Sequence, residues 1–253
     1  MQILLSPAKD MTDVSTVAPP FTSVSHFQRE AVDCAMQMSE FSTEELAKLL
    51  KINPKLAALT AQRYHNFLDP EPRLAAALSY TGMAFRHLRA EEFSEADFRY
   101  AQEHLWITSF LYGLNRPLDE IKNYRLEGNV QLPDHDGKSI FQFWRPFLTD
   151  LLIESVQADD GILIHAASAE MKSLFDWKRV AKHVRIITPE FYVNQGDRLK
   201  TIVVYAKMMR GALTRHLITT RPTTPEALFD FTYEGFAFRP EHSTDDKWAW
   251  VLE

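Results

Sequence analysis

Apolar positions along the chain change their spacing repeatedly, and each change predicts a different kind of element. Gln2-Ile3-Leu4-Leu5 is short and apolar enough for a central strand. A loop rich in Ser, Thr and Pro follows from Asp10 to Pro20. Helical patterning then runs for about a hundred residues. Within it, Phe41-Ser42-Thr43-Glu44-Glu45-Leu46 carries a capping box, Ser42 with Glu45, and a hydrophobic staple, Phe41 with Leu46. Phe93-Ser94-Glu95-Ala96-Asp97-Phe98 repeats the device with Asp97 in the acidic place. Between these starts, Ile52-Asn53-Pro54-Lys55 interrupts two helical patterns, Glu44 to Lys51 and Leu56 to Phe67, which predicts helix, tight turn, helix.

After Pro146 the pattern shortens. Ile162-Leu163-Ile164-His165-Ala166 and Val184-Arg185-Ile186-Ile187 read as strands, with Trp177-Lys178-Arg179-Val180-Ala181 between them. Phe191-Tyr192-Val193 and Thr201-Ile202-Val203-Val204-Tyr205 flank Asn194-Gln195-Gly196-Asp197, a hairpin signal. Thr232 to Phe238 and Trp248 to Leu252 predict a closing antiparallel pair. The sum is an α+β (mixed α/β) fold in which a mixed sheet is built largely from late strands and helices are concentrated in the first half. No repeat, low-complexity tract or linker divides the chain, so residues 1–253 are expected to form a single domain.

Composition narrows the function classes. At 253 residues with 45% hydrophobic and 25% charged positions, the chain can bury a full core without disulfides or metals. The opening apolar run stops at Ser6-Pro7-Ala8-Lys9 and no long apolar span follows, so neither a secretory leader nor a membrane partner is expected, and the predicted location is cytoplasmic. A single cysteine, Cys34, excludes an internal disulfide or two-thiol cycle, and it is expected to be an inert, partly buried thiol. The nine histidines lie apart, without Glu-x-x-His spacing, so no metal site and no cofactor are expected.

Charge changes the picture. Between Met171 and Arg221 stand 11 Lys/Arg against 3 acids, a balance of +8 inside a chain whose net charge is −6. Such a concentration suits an anionic partner, or else a solvated basic face. Its centre is Tyr205-Ala206-Lys207-Met208-Met209-Arg210-Gly211; a helix from Lys207 to Ile218 sets Lys207, Arg210, Gly211 and Thr214 on one face, with Met209, Ala212 and Leu213 opposite. Lysine and arginine one turn apart, with a glycine baring backbone, make a phosphate cradle or an ordinary basic amphipathic helix. His216 falls on the apolar face as a core histidine.

Three predicted strands run into polar residues: the first into Ser6 and Lys9, the second into Ser168 and Glu170, the third into Lys207. Ligands collect at the carboxyl ends of parallel strands, so these ends form a pocket if the strands point the same way. Arg125 and Glu127, two apart in an extended segment, either face a ligand or pair with each other. Asp134-His135-Asp136-Gly137 reads as a surface turn.

With these segments in view the chain resembles the YaaA peroxide-stress protein family over nearly its whole length. The resemblance is carried by Ile3 to Lys9, Glu92-Phe93-Ser94, Leu111-Tyr112-Gly113 through Asp119, Tyr124-Arg125-Leu126-Glu127, Phe141-Gln142-Phe143-Trp144, Ala167-Ser168, and Tyr205-Ala206-Lys207 with Arg210-Gly211, in that order. It implies a cytosolic protein that protects against hydrogen peroxide, a fold of its own type with a positively charged cleft, and DNA binding. It also implies that Ser42 to Phe67 is a helix-hairpin-helix unit with Lys51, Lys55 and Arg63 as DNA contacts. Phosphate contacts from Ser6, Lys9, Arg125, Ser168, Tyr205, Lys207, Arg210 and Arg215 would hold DNA, including distorted or branched forms, with little sequence preference. The alternative partner is a small nucleotide-like or other anionic ligand, with Lys9, Glu127 and Glu170 as candidate catalytic groups. The chain departs from the family pattern at Tyr80-Thr81-Gly82-Met83-Ala84-Phe85-Arg86-His87, where an acid, a tyrosine hydroxyl and a glycine are lost, and at Ala169-Glu170-Met171. DNA binding through Lys207, Arg210 and Arg215 is expected to survive those departures.

Overall fold

The structure is a computed structural model that describes residues 1–70, 73–196 and 198–253. In chain order its first half comprises β1 (Gln2–Leu5), α1 (Gln28–Ser39), α2 (Thr43–Leu50), α3 (Pro54–His65), β2 (Leu74–Ala75), α4 (Ala76–Ser79), α5 (Met83–Leu88), α6 (Glu95–His104), β3 (Leu105–Ser109), β4 (Gly113–Asn115) and β5 (Glu120–Ile121). The second half adds α7 (Ile140–Ala158), β6 (Ile162–His165), α8 (Trp177–His183), β7 (Arg185–Asn194), β8 (Leu199–Lys200), α9 (Val203–Thr220), β9 (Ala237–Phe238) and β10 (Lys247–Leu252). This is a mixed α/β fold around a mixed sheet.

Both expected capping boxes are present. Ser42 Oγ accepts the Glu45 N–H while the Glu45 carboxylate accepts the Ser42 N–H, and Ser94 with Asp97 does the same at α6. Ser139 and Gln142 form a third box at α7. The turn between α2 and α3 has no glycine; Lys51 itself takes the left-handed conformation, φ 52°, and Asn53 caps α3 through the Leu56 N–H.

The main sheet runs β4-β3-β1-β6-β7-β10-β9, with β8 against β7. Its middle strands, β3, β1, β6, β7 and β10, are mutually parallel, while β4, β8 and β9 join antiparallel. Parallel neighbours bury both faces, which explains why Gln2–Leu5 and Leu105–Ser109 are buried along their whole length rather than alternating. β3 and β4 interrupt the stretch expected to be helical, because five consecutive residues there serve the sheet's interior and not one helix face. The Val184–Ile187 and Phe191–Val193 runs fuse into the single ten-residue β7. The closing pair exists, but β9 pairs with β10 at two positions only, and β10 gains its longer partner in β7.

The strand expected over Thr201–Tyr205 is not one. The chain reverses between β7 and β8, β8 ends after two residues, and Val203 opens α9; Asp197 of the expected turn lies outside the described residues. α9 also corrects the two-faced reading, since Gly211 and Thr214 are buried along with Met209, Ala212 and Leu213. It packs against α5, α6, β1 and β7, so neighbours bury most of its middle turns. α7 packs against α8, β4 and β6. Among the described residues no helix is long and apolar enough to cross a membrane.

Candidate functional site

Strand direction decides the site. β1 and β6 are parallel neighbours with Leu4 beside His165, so the residues that follow them emerge at the same edge of the sheet. Ser6 Oγ accepts the backbone N–H of Ser168 at 2.8 Å, joining the two exits. Phe110, directly after β3, emerges beside them, and the first turns of α5 and α9 close the sides. The result is a cavity of about 890 Å³.

Its cationic lining comprises Lys9, Arg86, Arg125, Lys207 and Arg210, against Asp10 and Glu170. Glu127 stands behind this wall: its Oε1 pairs with Lys9 Nζ at 2.8 Å and with Arg125 Nη2 at 3.5 Å. Of the two expected alternatives, the ion pair between Arg125 and Glu127 is present, and of the two only Arg125 lines the cavity. Arg125 is held at its backbone, where Tyr64 of α3 donates its hydroxyl to the carbonyl oxygen at 2.7 Å. Among the described residues the buried Nε atoms of Arg125 and Arg210 have no hydrogen-bond partner. Burial also lowers the pKa of the Arg210 guanidinium, marking it as a charge held out of water. An unpaired buried donor costs about 1–3 kcal/mol, more on a charged group, and both Nε atoms are closed to the cavity as well as to water.

Behind the cavity a hydroxyl chain stiffens the floor. Tyr124, in the lining, shares hydrogen bonds with Tyr80 at 3.0 Å and Ser109 at 2.8 Å. Desolvation raises the pKa of both phenols, so they are neutral donors and acceptors.

The structure thus gathers Ser6, Lys9, Arg125, Ser168, Glu170, Lys207 and Arg210 around one cavity, although they span some two hundred positions of sequence. Other expected contacts lie elsewhere. Tyr205 sits outside the lining with its ring edge-on to Phe236, 6.0 Å between centroids. Arg215 donates to the carbonyls of Leu88 and Arg89 and pairs with Glu92 at 3.0 Å, tying α9 to the end of α5. Lys51 and Lys55 are exposed at the α2–α3 turn. Arg63, half-buried near the end of α3, lies within electrostatic reach of Asp13 and Arg125. Gly211 does not bare its backbone to a ligand; it lets the Ala84 carbonyl of α5 approach.

Arg86, Phe110, Val203 and Val204 are lining residues that the sequence reading did not select. The Tyr80–His87 segment offered Arg86 as a signal, whereas Phe110 looked like any core aromatic. Cys34 is fully buried, its Sγ 3.7 Å from His135 Nε2. The Asp134–Gly137 segment is a turn, with Asp136 and Gly137 at positive φ, but His135 turns inward and stacks on Phe143. His216 is half-buried beside Phe231.

Comparison with known proteins adds a lineage. Residues 1–242 match the family model described as Peroxide stress protein YaaA. A UPF0246 protein of Phocaeicola vulgatus is 50% identical over 253 residues, covering 100% of this chain and 99% of its own. A UPF0246 protein of Bacteroides fragilis is 49% identical over 252 residues, with 99% and 98% covered, and one of Porphyromonas gingivalis is 46% identical over 256 residues, with both chains covered in full.

Proposed function

Because this chain belongs to the peroxide stress protein YaaA family, we propose that it serves the peroxide response as a single-domain cytoplasmic protein that binds DNA through the cavity described above. The observation that carries this reading is the gathering of four cationic side chains, Lys9, Arg125, Lys207 and Arg210, on one cavity wall whose lining, among the described residues, has only the carboxylates of Asp10 and Glu170 against them. Phosphate oxygens are the acceptors that planar guanidinium groups match best. Lys51 and Lys55 at the glycine-free α2–α3 turn supply a second contact in helix-hairpin-helix fashion, with Arg63 nearer to Arg125 on the same helix. Such contacts read backbone and shape, so binding has weak sequence preference and favours distorted or branched DNA.

The test is fluorescence anisotropy with duplex, bulged and four-way-junction DNA at low and moderate salt, using wild type and Lys207→Ala/Arg210→Ala. Tight, salt-steep binding that weakens in the double variant supports the reading; unchanged binding removes this cavity from it.

A second reading, an enzyme acting on a small nucleotide-like or anionic substrate, is favoured by Glu170. That carboxylate faces the cavity with no ion-pair partner among the described residues, beside the hydroxyls of Ser6 and Ser168. Glu127 is less suited to proton transfer, since Lys9 and Arg125 already hold it.

A further inference from the structure

The cavity wall has two chemistries. Arg125, Arg210 and Lys207 form one part, and the half-buried Met83 with the exposed edges of Phe110 and Leu126 forms another. At the rim Val203 and Val204, 66% and 45% exposed, offer branched apolar side chains to the opening from the first turn of α9. Inorganic phosphate would answer the guanidiniums and leave the apolar wall in water. A sugar phosphate would set hydroxyls against that wall, where they find no partner.

Size narrows the choice. About 890 Å³ lies within the range of small-molecule sites, roughly 300–1,000 Å³. A stacked duplex keeps its bases inside the helix and presents only its outer surface, so it reaches the cationic rim but does not fill the hollow. One unstacked nucleotide meets the rim and enters the hollow. Its phosphate meets the guanidiniums, its flat base lies along the apolar wall, and its edge groups meet Ser6, Ser168 and Glu170.

We propose that the cavity is a receptor for a single nucleoside monophosphate unit, with the phosphate on Arg125 and Arg210 and the base against Phe110 and Leu126. This rests on the phosphate-binding reading of the same site and specifies what enters it. The unit has two sources: a free nucleotide, or a nucleotide extruded from a DNA strand, which costs least where the base is unpaired.

The test uses the full-length protein. Titration calorimetry with AMP, GMP, CMP, UMP and their deoxy forms is compared with inorganic phosphate. In parallel, 2-aminopurine is placed in a single-base bulge and in a fully paired duplex, and its fluorescence reports whether the base leaves the stack. The variants are Arg210→Gln and, because a half-buried arginine can be needed for folding, the exposed Val204→Glu, which puts a negative charge at the mouth.

The expected result is one-to-one binding of a nucleoside monophosphate, of the bulged base, or of both, at least about tenfold tighter than inorganic phosphate and weakened about tenfold or more by either variant. Free nucleotide alone identifies a small-molecule ligand, and the bulge alone identifies extrusion. Equal affinity for inorganic phosphate overturns the proposal, as does binding that neither variant alters. Salt-steep binding of intact duplex with no response to nucleotide or bulge overturns this inference and leaves the DNA reading standing. Nucleotide binding without any DNA binding overturns the DNA reading and leaves this inference standing.

Discussion

The carbonyl of Ala84 packs so closely on Gly211 that no Cβ fits there. This contact seats α5 against α9, and those helices hold Arg86 and Arg210 on the cavity wall. Gly211→Ala must push backbone against backbone, which no rotamer change relieves. The variant is expected to lose about 1–3 kcal/mol of stability. In a domain of this size that lowers the melting temperature by about 2–4 °C per kcal/mol, read by thermal unfolding under circular dichroism. An unchanged midpoint would show that the helices separate freely.

Arg215 and Lys207 stand on the same helix with opposite fates. Lys207 faces the cavity without an ion-pair partner among the described residues, whereas Arg215 is spent on Glu92 and two carbonyls. Lys207→Ala is therefore expected to weaken DNA binding and reduce its salt slope by about one, with little change in unfolding. Arg215→Ala is expected to leave affinity within about twofold and to lower stability by about 1 kcal/mol, the scale of a hydrogen-bonding group lost from a partly exposed site. Anisotropy titrations paired with denaturant melts separate the two, and the reverse pattern would place the binding surface elsewhere on α9.

His165, at the end of β6, is buried against Trp177 with neither ring nitrogen partnered among the described residues. Desolvation, reinforced by Lys172 and Arg210, pushes its pKa from 6.5 down to about 3. The folded protein thus keeps the neutral ring while the unfolded chain takes up a proton. Its contribution to stability is complete above about pH 6.5 and drains as pH falls toward about 3. At about 1.4 kcal/mol per pH unit, the loss between pH 7 and pH 4.5 is roughly 2–3 kcal/mol. His165→Leu, which strands no polar partner, is expected to remove that part of the acid slope in urea unfolding at the two pH values. Parallel slopes for both proteins would refute the assignment.

Cys34 is a fully buried thiol held in its protonated form. Burial first, and the nearby Asp33 and Glu30 charges next, push its thiol from 9.0 up to about 12. Three units lower the thiolate fraction about a thousandfold near neutral pH. Native protein is expected to resist Ellman's reagent at pH 8 and to react at once in denaturant. Rapid labelling of the native state would restore the thiol as a candidate sensor.

Legibility along the chain followed the range of the interactions. The caps at Ser42 and Ser94, the break at Ile52-Asn53, although Pro54 and Lys55 already belong to the next helix, and the apolar strand at Gln2–Leu5 depend on neighbours within a few residues, so composition and spacing were enough to place them. Ser6, Lys9 and Ser168 were also identifiable as polar groups after strands, Arg125 as a polar group in an extended segment, and Lys207 and Arg210 as the cations of a basic helix. Their union was not. It required β1 and β6 to pair in parallel across about 160 positions, and either direction satisfies the same apolar pattern.

Tertiary packing likewise overrode local preference in α9. Val203-Val204-Tyr205 has strand composition, yet β8 ends early and the segment opens a helix at the cavity rim. Gly211 read as an opening for a ligand and serves instead as the point of closest approach between two helices. Arg215 counted as one more positive charge until Glu92 and the Leu88 and Arg89 carbonyls claimed it. Each depends on partners distant in sequence, brought close only when apolar burial assembles the sheet and its helices.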